Sequence, residues 1–382
     1  MSNLRIALIH NSSPLEGGSF TYESNISKYL RNSLPSNYEL IDLYKGRKNR
    51  VSKKLNTYRV TRLQIFLAML RQSALGFQIL RTLRLHKSRF EKFLLTNGFD
   101  SVYFLSPNAS ALAIFNIPML NTVWDLGHRH YPELEEFSFD GRFQKREYFY
   151  NKVLNRSAHV VVDSEKTKSE LVAYYGVQEA RVTSLGLFPN RFPHACSVSC
   201  IKEEYVFYPA QFWRHKNHEV LVEALAMLKP SKPNLKLFFS GSDKGEMEKV
   251  KRLVYELGLQ DSVQFLGFIS AQEMSMYYHH AAMTAFPSML GYTNLPPLES
   301  LLLGTPVIVS DVHDFDFELP PKGYVQVPTM ESKLWANAIA KKLGEGVKNL
   351  ELANITANIL DAKLGSIDIK RLFDNVVMNV GD

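Results

Sequence analysis

The feature that most constrains this chain is an alternation, sustained along nearly its whole length, of short strand-like runs with segments of helical spacing. In the first half the runs RIALIH, SVYFLS, MLNTVWD, HVVVDS and RVTSLG read as strands with helices between them. Such an order predicts parallel sheets joined by crossover helices. Ser164 is placed to cap the helix EKTKSELVAYYG, and Gly176 to end it. The stretch FPNRFPHACSVSCIKEE, Phe188 to Glu204, breaks the pattern with prolines and small residues and reads as a connection. The pattern then restarts with YVFYPA, HEVLVEALAMLK, LKLFFSG, VQFLGFIS, a helix through MSMYYHHAA, and MTAFPS. At 382 residues the chain fits two α/β domains of nearly equal size, with a cleft expected between them. The tail from SKLWANAIAKKLGEGV onward reads as helical, its last element packing back on the first domain.

A hydrophobic content of 45% with 22% charged residues is an ordinary globular balance, and no uninterrupted apolar run approaches the ~18 residues of a membrane span. A soluble protein is expected. The opening MSNLRIALIHNSS reads as a strand and not as a signal peptide. Cys196 and Cys200 have no second Cys or His pair at ligand spacing, so reduced cytosolic thiols and no bound metal are expected.

The net charge of +7 is unevenly spread. Between Lys45 and Lys92 fourteen Lys and Arg stand against the single acid Glu91, so this segment carries +13 and the rest of the chain −6. Leu63, Phe66, Leu67, Leu70, Leu75, Ile79, Leu80 and Leu83 fall at helical spacing with Arg62, Arg71, Arg81 and Arg84 interleaved, which predicts one basic amphipathic helix. It is either a solvated outer face or an attachment to an anionic membrane surface. Nucleic acid is not expected, because no stacking aromatics accompany the charge.

The stretch FPSMLGYTNLPPLESLLLGTPVIVSD, Phe286 to Asp311, sets two prolines and an acid between two strand-like runs. Asn294 is expected to cap a helix, and Pro296 and Pro297 fix its start, because first-turn amides have no intrahelical partner to lose. The amides of Thr293, Asn294 and Leu295 would then face an anion with the helix dipole in support. Glu299 either complements that dipole or accepts hydrogen bonds from the vicinal hydroxyls of a ribose. Lys216 precedes a helix beginning near Asn217 and is either solvated or directed at the same anion, with Arg214 as a second candidate cation.

These stretches, with FYPAQFWRHKNHEVLVEAL, KLFFSGSD, VVDSEKTKSEL and NTVWDLGHRHYPEL in the same order, resemble the retaining glycosyltransferases of family 4. The resemblance implies the GT-B fold, two Rossmann-like domains facing each other across a cleft: residues 1–188 for the acceptor, 204–365 for the nucleotide-sugar donor, and 366–382 as a helix returning to the first domain. It implies that Glu299 holds the ribose hydroxyls, that Lys216 clamps the diphosphate, and that Gly17 and Gly18 of SPLEGGSF approach the phosphates. The backbone at Gly267 and Phe268 would seat the base. Gly241, Gln211, Arg214, Gly291, Thr293, Asn294 and Leu295 complete the implied donor set.

Three positions depart from the family pattern. Gly291 stands where a first glutamate is frequent, Gln211 where an arginine precedes the clamping lysine, and Trp124-Asp125 where a His-Asp pair is common. Asp125 and His128 are taken as the first-domain contribution to the reacting sugar or the acceptor, His128 being open also to a structural role. Asp314 and Asp316 match the metal-binding Asp-x-Asp of the other glycosyltransferase fold, but they follow the strand after the donor helix, and no metal role is expected of them. The expected activity is a retaining, metal-independent sugar transfer, without a cofactor, from a nucleoside-diphosphate donor to a glycan or lipid-linked acceptor. The expected location is cytoplasmic, peripheral on the inner face of the membrane. An epimerase or phosphorylase of the same fold, or a membrane-associated binding protein without turnover, are the alternatives.

Overall fold

The structure, a computed structural model, describes residues 4–13, 17–46, 57–85, 87–192, 203–346 and 350–378. Cys196, Cys200 and most of the expected connection lie outside these residues, as do Pro14 to Glu16 and residues 47–56 of the basic segment.

The chain forms two compact units. The first comprises residues 1–126, 140–188 and 367–382, and the second comprises 127–139 and 189–366. The first is built on β1 (Leu4–His10), β2 (Tyr38–Lys45), β3 (Thr57–Tyr58), β4 (Ser101–Phe104), β5 (Met119–Val123), β6 (His159–Val162) and β7 (Val182–Ser184), in the order β3-β2-β1-β4-β5-β6-β7. The second is built on β8 (Tyr205–Pro209), β9 (Lys236–Ser240), β10 (Val263–Phe265), β11 (Met283–Phe286), β12 (Val307–Ser310) and β13 (Tyr324–Val327), in the order β10-β9-β8-β11-β12-β13. Every pairing is parallel. Central strands such as SVYF, HVVV and YVFYP are buried at every residue, the signature of sheets covered on both faces.

Local chemistry sets the helix ends. Ser164 accepts from the Thr167 amide at 3.1 Å, and Gly176 closes the helix Glu165–Tyr175 in the left-handed region, as the sequence predicts. The helix Ile369–Met378 packs on the first unit, with Phe373 against the Tyr38 and Tyr103 rings and the Tyr38 hydroxyl donating to Asp374. The single basic helix expected from Leu63 to Leu83 is two. Helices Arg62–Arg71 and Ala74–Thr82 are bent by 118° to each other, and Arg89–Thr96 is separate. The break has a cause: Ser73 caps the second helix by taking the Gly76 amide at 3.1 Å.

Candidate functional site

In a parallel sheet the loops that receive ligands lie at the carboxyl ends of the strands, at the point where connections diverge to opposite sides. In the second sheet that point lies between β8 and β11. The loop after β8 carries Lys216, and the loop after β11 carries Ser288 and Asn294. The Lys216 Nζ donates to Ser288 Oγ at 3.3 Å and to Asn294 Oδ1 at 3.2 Å, and stands 5.0 Å from the centre of the Phe286 ring.

The loop is tied down on several sides. The Tyr208 hydroxyl donates to the Lys216 carbonyl at 2.6 Å, and the Met289 amide donates to the His215 carbonyl at 2.7 Å. After the turn Arg214–Lys216, Asn217 takes φ 53°, a left-handed conformation that asparagine tolerates, and opens the helix His218–Leu228. Gly241, at φ +152°, has to be glycine, because a Cβ there would come 2.2 Å from the Ala210 carbonyl oxygen. Its amide donates to the Gly267 carbonyl at 2.9 Å, which brings these two residues together, and the adjacent Phe268 is exposed.

Pro296 and Pro297 occupy the first turn of the helix Leu295–Leu302, as expected. Asn294 has the extended backbone of a cap, but its side chain makes no capping bond. The expectation of a side-chain cap is corrected, and the reason is that the amide is engaged elsewhere. Its Nδ2 donates to the Gly291 carbonyl and to His313 Nε2, each at 3.0 Å, while Oδ1 accepts from Lys216. Donors and acceptors on these sides allow one orientation of the amide. Gly291, at φ +85°, lets the amide close on it, since a Cβ would lie 3.0 Å from Nδ2. Burial pushes the His313 imidazole down to about 3, so the ring is neutral. With Nε2 accepting, its proton sits on Nδ1, which faces the Ser310 carbonyl at 3.1 Å and Oγ at 3.0 Å. Thr293 and Leu295 flank this cluster and are buried.

Glu299, five residues past Asn294, is buried within the same helix. Its Oε1 accepts from the Asn190 amide at 3.1 Å and from Asn190 Nδ2 at 2.9 Å, and its Oε2 accepts from the Tyr278 hydroxyl at 2.9 Å. Burial raises its carboxyl above the ordinary glutamate range, and the Asn190 and Tyr278 donors work against that rise.

The remaining residues of the expected set are placed as follows. Arg214 Nη1 lies 3.3 Å from Glu246 and 3.7 Å from Glu219, so its charge is met by two carboxylates of the protein. Gln211 Oε1 accepts from Trp213 Nε1 at 3.1 Å. Asp125 belongs to the first unit, 3.5 Å from Arg146 Nη1, whereas His128 is buried at the start of the short helix Gly127–His130 of the second. That segment also brings Glu136 to His215, both carboxylate oxygens standing 2.8 Å from Nδ1. Asp316 stands 3.5 Å from Lys363. Among the described residues no three or more His, Cys, Asp or Glu are grouped as ligands for a metal ion.

The first sheet diverges between β1 and β4. There the amides of Asn11 and Ser12, at 3.2 and 3.1 Å, and the Ser12 hydroxyl, at 3.0 Å, converge on the fully buried carboxylate of Glu23. Ser106, after β4, donates to it as well. Gly17, at φ +63° with open space where a Cβ would stand, precedes the helix Gly18–Ser33.

Sequence reasoning missed His313, Asn190, Tyr278, Glu136 and Glu23. Only His313 had a local signal, lying in SDVHDFDFE beside the two aspartates that drew attention instead.

Residues 199–349 match the model of a family described as glycosyl transferases group 1. The O-antigen chain mannosyltransferase RfbU of Salmonella typhimurium is 26% identical over 270 residues, covering 70% of this chain and 70% of that protein. Sucrose-phosphate synthase from Thermosynechococcus elongatus has a similar structure, with a TM-score of 0.69 at 21% identity over 99% of this chain and 97% of that one. Anabaena Alr3699/HepE in complex with UDP has a TM-score of 0.67 at 15% identity, over 99% of this chain and 100% of that one.

Proposed function

We propose that this chain is a glycosyltransferase of the group 1 kind, with the GT-B fold, and that it moves a sugar from a nucleoside diphosphate to a hydroxyl of a lipid-linked or polysaccharide acceptor, with retention and without a metal or cofactor. The observation that carries the reading is Lys216, held by Asn294 and Ser288 where the second sheet diverges, beside the proline-started helix that bears Glu299. Breaking a sugar–phosphate bond leaves a multiply charged diphosphate, and a fixed ammonium near a helix start stabilises that charge as it develops. Glu299 carries three donors now; the vicinal hydroxyls of a ribose would join or replace those of Asn190. The acceptor attacks on the face the diphosphate leaves, and the departing phosphate oxygen takes its proton, so no side-chain nucleophile is needed. Asp125 and His128 contact the sugar or the acceptor. Similarity to an O-antigen mannosyltransferase supports a surface-glycan acceptor. The basic segment around 45–92 attaches the protein to the anionic inner face of the cytoplasmic membrane.

The test is calorimetric titration of the nucleoside diphosphates. Lys216→Ala and Glu299→Ala are each expected to weaken the preferred one by about tenfold to a hundredfold, the worth of a hydrogen bond to a charged group. Unchanged affinity in both variants would overturn the assignment.

A further inference from the structure

Helices Arg62–Arg71 and Ala74–Thr82 turn large apolar side chains to solvent. Leu63, Phe66, Leu70, Leu75, Ile79 and Leu83 are all exposed, Leu75 by 75% and Leu63 by 65%. Scattered exposed leucines are ordinary on a protein surface, but six on one pair of short helices are not.

The pair is anchored on its other side. Ala68, Gly76 and Leu80 are buried, Ile65 packs on the core of the first unit, and the Arg71 guanidinium lies 3.7 Å from the centre of the Phe115 ring. A capping box between Thr61 and Gln64 opens the first helix. Gly76 makes the tight bend possible, since a Cβ there would stand 2.1 Å from the Leu70 carbonyl oxygen. The apolar face is therefore displayed by a built element of the fold.

Charge identifies what covers it. Arg59, Arg62, Arg81, Arg84, Lys87 and Arg89 are exposed in and around the pair. The lone acid of the segment, Glu91, is buried, its carboxylate accepting from the amides of Phe115, Asn116 and Ile117. No other acid stands in Lys45–Lys92. Apolar side chains among cations suit acyl chains beneath anionic headgroups, whereas a nucleic acid would leave the leucines uncovered. The helices are about 15 and 14 Å long, each half the ~30 Å of a hydrocarbon core; no single helix among the described residues is long and apolar enough to span it, and the 118° bend between the two suits a pair lying flat.

We propose that this bent pair is an insertion anchor, burying Leu63, Phe66, Leu70, Leu75, Ile79 and Leu83 at the acyl boundary of an anionic bilayer while its arginines stay among the headgroups. The inference rests on the membrane attachment stated above and deepens it: attachment through charge alone is lost in salt, and insertion is not.

The test is co-sedimentation of the full chain with phosphatidylcholine vesicles, with and without phosphatidylglycerol, at low salt and at about 0.5 M salt. Binding is expected to need phosphatidylglycerol for full strength and to persist at high salt. Leu63→Ser/Leu75→Ser/Ile79→Ser should lose at least about tenfold in affinity while keeping its circular dichroism and its nucleoside-diphosphate binding, because each of these side chains is more than half exposed. Arg62→Gln/Arg81→Gln/Arg84→Gln should weaken low-salt binding by roughly fivefold per charge. Binding abolished by salt and unchanged in the serine variant would overturn insertion and leave electrostatic attachment standing. No vesicle binding at any salt would overturn both. Self-association that the serine variant removes, without vesicle binding, would make the face a protein interface and overturn the anchor.

Discussion

Lys216 has a long, mobile side chain, and its ammonium is held near Phe286 because Asn294 Oδ1 and Ser288 Oγ accept from it. Asn294 is in turn oriented by the Gly291 carbonyl and by a neutral His313. Asn294 and His313 are thus positioning residues for the cation. Asn294→Ala should weaken nucleoside-diphosphate binding by about fivefold to tenfold, the worth of one hydrogen bond, and a double-mutant cycle with Lys216→Ala should show non-additivity. His313→Gln keeps an acceptor for the Asn294 amide and should bind as wild type, whereas His313→Leu orphans that amide and should not; equal behaviour of the two would remove His313 from the scheme. Lys216 was singled out because it precedes a helix start, whereas Glu299, expected in a first turn, is the fifth residue of its helix. Of the residues that tie them down, only His313 carried a local signal; Asn190 and Tyr278 reach Glu299 from separate segments, and nothing local in a sequence records which distant side chain completes a hydrogen bond.

At the scale of elements, runs uniformly rich in β-branched or aromatic residues, such as HVVV and YVFYP, read directly as strands. YELIDLYK and YVQV did not, since each mixes polar residues into a strand near a sheet edge. The bend at Ser73 was missed for a related reason: apolar spacing continues through it, while the cap and Gly76 that enforce it are single residues. The returning helix Ile369–Met378 was expected from the chain's pattern, and its contacts make a specific claim. Phe373 is buried between Tyr38 and Tyr103, so Phe373→Ala should cost about 3–5 kcal/mol, read as loss of hydrogen-exchange protection in β1, β2 and β4. Protection in β8, β9 and β11 should stay as in wild type. Loss spread equally over both units would refute the assignment of this helix to the first.

For the molecule as a whole, buried histidines set the response to acid. Burial pushes His159 down to about 4 and His218 and His313 down to about 3. Each is depressed below the ordinary ~6.5, so each contributes stability that is complete above that value and is lost as pH falls toward the folded-state value. The raised Glu299 carboxyl acts in the opposite sense, gaining stability as pH falls through its folded-state value. Between roughly pH 6.5 and 5 the free energy of unfolding should therefore fall, and His313→Gln should flatten the slope by about 1.4 kcal/mol per pH unit; urea titrations at stepped pH give the comparison, and parallel slopes would refute the buried neutral state. The two sheets also differ in how they treat anions. In the second, the point of divergence holds a lysine. In the first, the Asn11 and Ser12 amides already serve Glu23, so a phosphorylated visitor would have to evict a carboxylate that belongs to the protein. At the carboxyl end of β1, then, those two amides are closed to any outside anion until Glu23 gives them up.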